Sequence, residues 1–170
     1  MNRPEPEEHN PYFTKYISLV PDGNYMQLLK ANSSDIINFF SKIPEEKHNY
    51  RYAEGKWSIK DILMHITDTE RVMMYRALAA ARGDDKIILG NMDENSYAAN
   101  IDVSGRKLDS ILEEFRTLRA STEIFFENID ENASKFRAKT DSYSITARTI
   151  GYILIGHPVH HIKTIEDRYL

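Results

Sequence analysis

Cysteine is absent from the 170-residue chain. Its absence removes disulfides, thiolate metal ligands and a cysteine nucleophile together. Any bound metal must therefore rest on histidines and carboxylates, and any thiol chemistry must bring its thiol from outside. Long apolar runs are lacking as well. None approaches the roughly 20 residues that span a membrane, and the start, MNRPEPEEHNPYF, is polar and proline-rich rather than a signal peptide. The expectation is a cytoplasmic protein that does not engage membranes. A basic stripe is also missing. The 22 lysines and arginines are intermixed with 26 acidic residues, for a net charge of −4, which argues against a nucleic-acid partner. Neither strand alternation nor an internal repeat is evident.

What is present is helical periodicity in four stretches. The first runs from about 24 to 43 and is stopped by Pro44. The second opens at WSIKDILMHI, with Ser58 as N-cap and Asp61 in an acidic variant of the capping box, and ends at Gly83, a residue suited to the C′ position. A long loop follows, roughly 84–104; loops of that length often cover something. The third helix is expected over about 106–129 and the fourth from near Thr146 almost to Leu170. The predicted fold is all-α: a four-helix bundle forming one domain, 1–170, with residues 1–21 as an arm packed on it. Tyr12, Phe13, Tyr16 and Tyr25 are expected to pack on the bundle.

On the fourth helix, Ile150, Leu154, His157, His161 and Thr164 step by four, three, four and three, which keeps them on one face. His157 and His161 thus occupy positions where the pattern calls for core residues, close enough to share one ion. His160 falls toward the edge of that face. On the second helix, Ile62, His65, Thr69 and Val72 place His65 in a similar stripe. Three imidazoles entering one bundle core suit zinc, nickel or iron and leave coordination positions open. Spacing alone leaves the alternative of hydrogen-bonded core histidines standing. The HExxH motif is absent, because Pro158 stands where its glutamate would be. His9 and His48 lie in polar surroundings and receive no role.

The runs RYAEGKWSIKDILMHITDTERVMMYRALAAARGDD, MDENSYAAN and SITARTIGYILIGHPVHHIKTIEDRYL resemble the DinB-like superfamily, close to its YfiT-like members. The resemblance implies a four-helix protein with a three-histidine metal site. Its first ligand falls on His65 after the Trp57–Ser58 helix start, and the other two on His157 and His161 of the GHxxHH segment. It further implies a divalent metal, nickel or zinc, a small-molecule substrate and a homodimer. Relatives include S-transferases that use bacillithiol, mycothiol or glutathione, and a mycothiol-dependent isomerase; others are known only as metal-dependent hydrolases. The reading is thus a metal-dependent hydrolase or thiol S-transferase, the latter with an external low-molecular-weight thiol. The alternatives are a non-catalytic metal- or ligand-binding bundle of stress-response type and a structural protein. No catalytic residue is assigned. Supporting candidates are Asp68 and Glu70 near His65, His160 on the helix edge, and Asn95 and Tyr97 in the long loop. Pro158 departs from the family pattern. It removes the hydrogen bond to the Leu154 carbonyl, so a kink beside His157 is expected.

Overall fold

The computed structural model describes residues 1–170. Six helices follow one another: α1 (Thr14–Ile17), α2 (Tyr25–Ser41), α3 (Ile59–Ala81), α4 (Glu94–Ala99), α5 (Leu108–Glu127) and α6 (Ala147–Arg168). Their ends obey local chemistry. Asn24 Oδ1 accepts from Gln27 N (3.1 Å) at the start of α2. Ser58 and Asp61 form the reciprocal capping box on α3, and Gly83 takes φ +66° just past its end. Thr146 Oγ1 accepts from Thr149 N (3.2 Å) to begin α6.

Four long helices make the bundle, as the periodicity predicts, with α1 and α4 as additions. Both α2 and α3 pack against α5 and α6. Consecutive helices α2 and α3 are therefore diagonal across the bundle, and so are α5 and α6. Diagonal partners cannot be joined by tight turns, which accounts for the long connections between them.

Three short strands, β1 (Ile88–Leu89), β2 (Arg137–Thr140) and β3 (Ser144–Thr146), form a sheet in that order. β1 runs parallel to β2, and β2 antiparallel to β3. The sequence shows no strand signal because segments of two to four residues are too short to establish a period of two. The sheet covers the alanine-rich end of α3, where Ala79, Ala80 and Ala81 cluster with Leu89, Ala138 and Ala147.

The first half of α6, residues 147–158, is buried on every side, as expected where the run IGYILIG turns apolar residues in every direction. Residues 1–21 supply one of its covers. Arg3 donates to the carbonyls of Ile17 (2.9 Å) and Val20 (2.6 Å), and Phe13, Tyr16 and Ile17 join the core with Ile150, Ile153 and Leu154. The crossing of α1 over α6 needs Gly156: a Cβ there would lie 2.0 Å from the Tyr16 carbonyl oxygen.

One side chain ties all four bundle helices together. Arg119 on α5 is 1% exposed. It donates through Nε and Nη2 to Glu70 of α3 (2.7–2.9 Å), through Nη1 to Asn32 of α2 (2.9 Å) and through Nη2 to the Leu154 carbonyl of α6 (3.0 Å). Thr122 donates to Glu70 as well (2.7 Å). The Leu154 carbonyl is the acceptor that Pro158 leaves without its helical donor. α6 continues through Pro158 without a break, and Arg119 supplies the missing hydrogen bond.

Candidate metal centre

His65 lies in the second turn of α3, and His157 and His161 lie one turn apart on α6. Packing of α3 on α6 brings their Nε2 atoms together: His65 to His157 is 3.1 Å and His161 to His157 is 3.0 Å. One donor atom from each residue falls within 4.8 Å of the others. His65 and His157 are buried and His161 is half-buried. Burial holds His65 down at about 4. Burial, then the neighbouring histidines and Lys15, hold His161 at about 3 and His157 well below the usual imidazole range. All three are therefore neutral near pH 7.

The donor set fits a divalent ion. A neutral imidazole nitrogen is either a donor or an acceptor, so the His157 Nε2 cannot make good hydrogen bonds to both neighbours with its one lone pair or one proton. A shared cation uses all three lone pairs. With metal–nitrogen bonds of about 2.0–2.1 Å, tetrahedral donors sit about 3.3 Å apart and right-angled donors about 2.9 Å apart; the His65–His157 and His161–His157 spacings lie between. Imidazole donors suit zinc, nickel, copper and iron rather than magnesium or calcium.

Aromatic rings wall the cluster. Trp57 packs on His65 with centroids 4.7 Å apart, and Tyr16 meets His157 (5.3 Å) and His160 (5.5 Å) edge-on. A cleft of about 240 Å³ opens on His65 and His157 and runs between the arm, α3 and Tyr143. A narrower recess beside His65 is lined by Asp68, Glu94 and Tyr97, and a third, shallow depression by Asn95, His160 and His161.

Four of the supporting candidates, Asp68, Tyr97, Asn95 and His160, therefore line depressions next to the three histidines. Asp68 pairs with Arg71 (3.0 Å); burial nonetheless raises its pKa above the usual range. Glu70 is turned away, its carboxylate taken by Arg119 and Thr122. Arg76, Tyr143 and Glu94 also line the clefts, and sequence reasoning passes them over. Arg76 left a signal: 65, 69, 73 and 76 step by four, four and three, which puts a charge on an inward stripe. Tyr143 and Glu94, in the connections on either side of α5, left none.

The sequence model of the DinB superfamily matches residues 28–165. A sequence comparison with curated proteins returns no match. Among solved structures, the chain is similar to YfiT from Bacillus subtilis, described as a probable metal-dependent hydrolase with an unusual four-helix bundle topology. The TM-score is 0.74 at 14% identity, covering 84% of this chain and 82% of that one. It is also similar to a mycothiol-dependent maleylpyruvate isomerase, with TM-score 0.64 at 12% identity, covering 82% of this chain but only 58% of that one. At these identities both are likenesses of fold.

Proposed function

The chain belongs to the DinB superfamily, and on that footing we propose that it is a divalent-metal enzyme acting on a small molecule, with His65, His157 and His161 as the ligands. The observation that carries the proposal is the approach of three neutral imidazole nitrogens, from two helices, to within 4.8 Å of one another. Zinc or nickel fits such a set.

A cation held there supplies a Lewis acid that can acidify water for hydrolysis or an external thiol for S-transfer. The protein's own residues divide the remaining work. Trp57 and Tyr16 exclude water from the ligand rings and hold their orientation by packing. Glu94, on α4, lines both depressions that reach His65 and makes no ion pair, so its carboxylate is free to take a proton from an entering nucleophile. Asp68, with its pKa raised by burial, is the second carboxylate at the recess. Asn95, Tyr97 and His160 border the openings through which a substrate enters. A thiol co-substrate must come from solution, because the chain has no cysteine. A homodimer, implied by the family resemblance, is part of the same proposal; analytical ultracentrifugation of the untagged protein tests it.

Elemental analysis of untagged protein after reconstitution with zinc or nickel tests the central reading. One equivalent in the wild type and in His48→Ala, with loss in His65→Ala, His157→Ala and His161→Ala, is the expected pattern. Absence of stoichiometric metal in the wild type removes the reading. Ester, amide and electrophile substrates, each with and without a low-molecular-weight thiol, then separate hydrolysis from S-transfer. A metal-loaded protein inactive on all of them favours a binding role.

A further inference from the structure

Arg76, Arg119 and Arg148 are the three buried arginines, at 3%, 1% and 8% exposure. Two face carboxylates. Arg119 is paired with Glu70, and Arg148 with Glu8 of the arm. Arg76 has no carboxylate within ion-pair distance. Its Nη2 donates to the Gly90 carbonyl (2.7 Å) and its Nη1 to the Tyr143 hydroxyl (3.1 Å), both neutral acceptors. Burying a guanidinium without a counter-charge is costly. A neutral glutamine could hold the Gly90 carbonyl with less desolvation, so support of the loop does not account for the charge.

The place of Arg76 suggests what does. It lines the same 240 Å³ cleft as His65 and His157. Arg76 and His65 are eleven residues apart on α3, roughly 16 Å along the helix axis, so the guanidinium and the imidazoles serve different ends of an elongated space. Between them the walls are largely apolar: Phe13, Tyr16, Met73, Met92 and Ile153. Glu94 is the one carboxylate on the lining and makes no ion pair with Arg76, while Lys15 stands over the rings of Tyr12 and Tyr16 (4.0 and 4.8 Å). The Tyr143 hydroxyl accepts from Arg76 and keeps its own proton to donate.

We propose that this cleft seats a small organic carboxylate, with Arg76 and Tyr143 as the anchor and an apolar body of about one ring extending toward the histidines. An apolar cavity of about 150 Å³ accommodates benzene, so 240 Å³ leaves room for one ring and a short chain. A guanidinium fork matches a carboxylate in geometry as well as charge. The carboxylate belongs either to the substrate or to a thiol co-substrate; the anchor chemistry is the same. The inference rests on the metal-enzyme reading only for what happens at the histidine end.

The test is calorimetric titration of wild-type protein, zinc-loaded and chelator-stripped, with 3-phenylpropanoate, 3-phenylpropanamide and 3-phenylpropylamine. In [15N]arginine-labelled protein the Arg76 Nε–H resonance is followed in parallel. The carboxylate should bind roughly tenfold or more tightly than the amide, shift the Arg76 resonance, and outcompete the amine. Arg76→Met and Tyr143→Phe should weaken the carboxylate and leave the amide unchanged. If Arg76→Met does not fold, Tyr143→Phe and the wild-type preference decide. Equal affinity for carboxylate and amide, or an unmoved Arg76 resonance, overturns the proposal. Binding that needs zinc and ignores Arg76→Met also overturns it, because the carboxylate then sits on the metal. Carboxylate binding through Arg76 in a protein that takes up no metal upholds the inference while the metal-enzyme reading fails. Competition with glutathione, a longer thiol that carries carboxylates, separates the two sources: displacement of 3-phenylpropanoate that is lost in Arg76→Met assigns the carboxylate to a co-substrate, and no displacement assigns it to the substrate.

Discussion

Glu70 and His65 lie within two turns of each other on α3, each in a cluster of buried polar atoms, but the two clusters differ in whether those atoms are spent. Around Glu70 the donor nitrogens of Arg119 and the Thr122 hydroxyl each meet an acceptor. Arg119 offers its fork to Glu70, Asn32 and the Leu154 carbonyl, and Thr122 completes the carboxylate. Around His157 three lone-pair-bearing nitrogens face one another, and protons cannot satisfy them all. The first arrangement is complete within the chain and holds the bundle together. The second leaves lone pairs without protons to meet them, and these are what the proposed ion would use. Burial alone does not distinguish a structural polar cluster from a binding site; the balance of donors against acceptors does.

Two substitutions should separate the clusters most sharply. His157→Ala should weaken zinc or nickel binding by more than the roughly 100-fold that loss of a supporting residue costs, while metal-free thermal stability stays near wild type; equilibrium dialysis and calorimetry measure the two. Glu70→Ala should do the reverse. Leaving Arg119 buried and unpaired costs about 3–5 kcal/mol, read as a melting-temperature drop on the order of 10 °C, with metal stoichiometry retained. If Glu70→Ala instead releases metal without destabilising the fold, the contrast fails.

Glu8 and Arg148 form another closed pair, between the arm and α6, so they sharpen the comparison. Burial by itself would raise the Glu8 pKa, but hydrogen bonds from Arg148, the Glu5 backbone and Thr146, with the Arg148 charge, outweigh it and hold the carboxyl at about 2. The folded pKa is thus below the unfolded value of 4.5. The stabilisation is fully present above pH 4.5 and is lost as pH falls toward 2, up to about 3 kcal/mol in all. Chemical denaturation at stepped pH should show that decline, and Glu8→Gln should flatten it.

Smaller effects probe the wall of the open site and the seam of the closed one. Gly156→Ala forces the Tyr16 backbone off α6, at a cost of about 1–3 kcal/mol, and with it the ring packed on His157. Fluorescence and melting curves should both change. Pro158→Ala should alter stability by less than the roughly 3 kcal/mol of an unsupported helix-interior proline, because the Leu154 carbonyl already has its donor in Arg119.

The elements that sequence reading reached are those governed by short-range periodicity. Caps at Asn24, Ser58 and Thr146 and the glycine at 83 act within four residues of themselves, so the helix ends were legible. The inward stripe placed His65, His157 and His161 on faces that the fold does bring together. Glu70 was legible only as an acidic residue near His65, because the partner that claims it, Arg119, is 49 residues away on another helix. Asp68 and Glu70 look equivalent in HITDTER, and only packing turns one to the recess and the other to the network.

By itself, then, the sequence determined four helices, their ends and their inward faces, because those follow from interactions spanning one or two turns. The helix order around the bundle, the donor that stands in for the missing N–H of Pro158, and the solitary charge of Arg76 were decided by tertiary structure. Each is a relation between distant segments, and whether a buried group finds a partner depends on what the opposite helix presents.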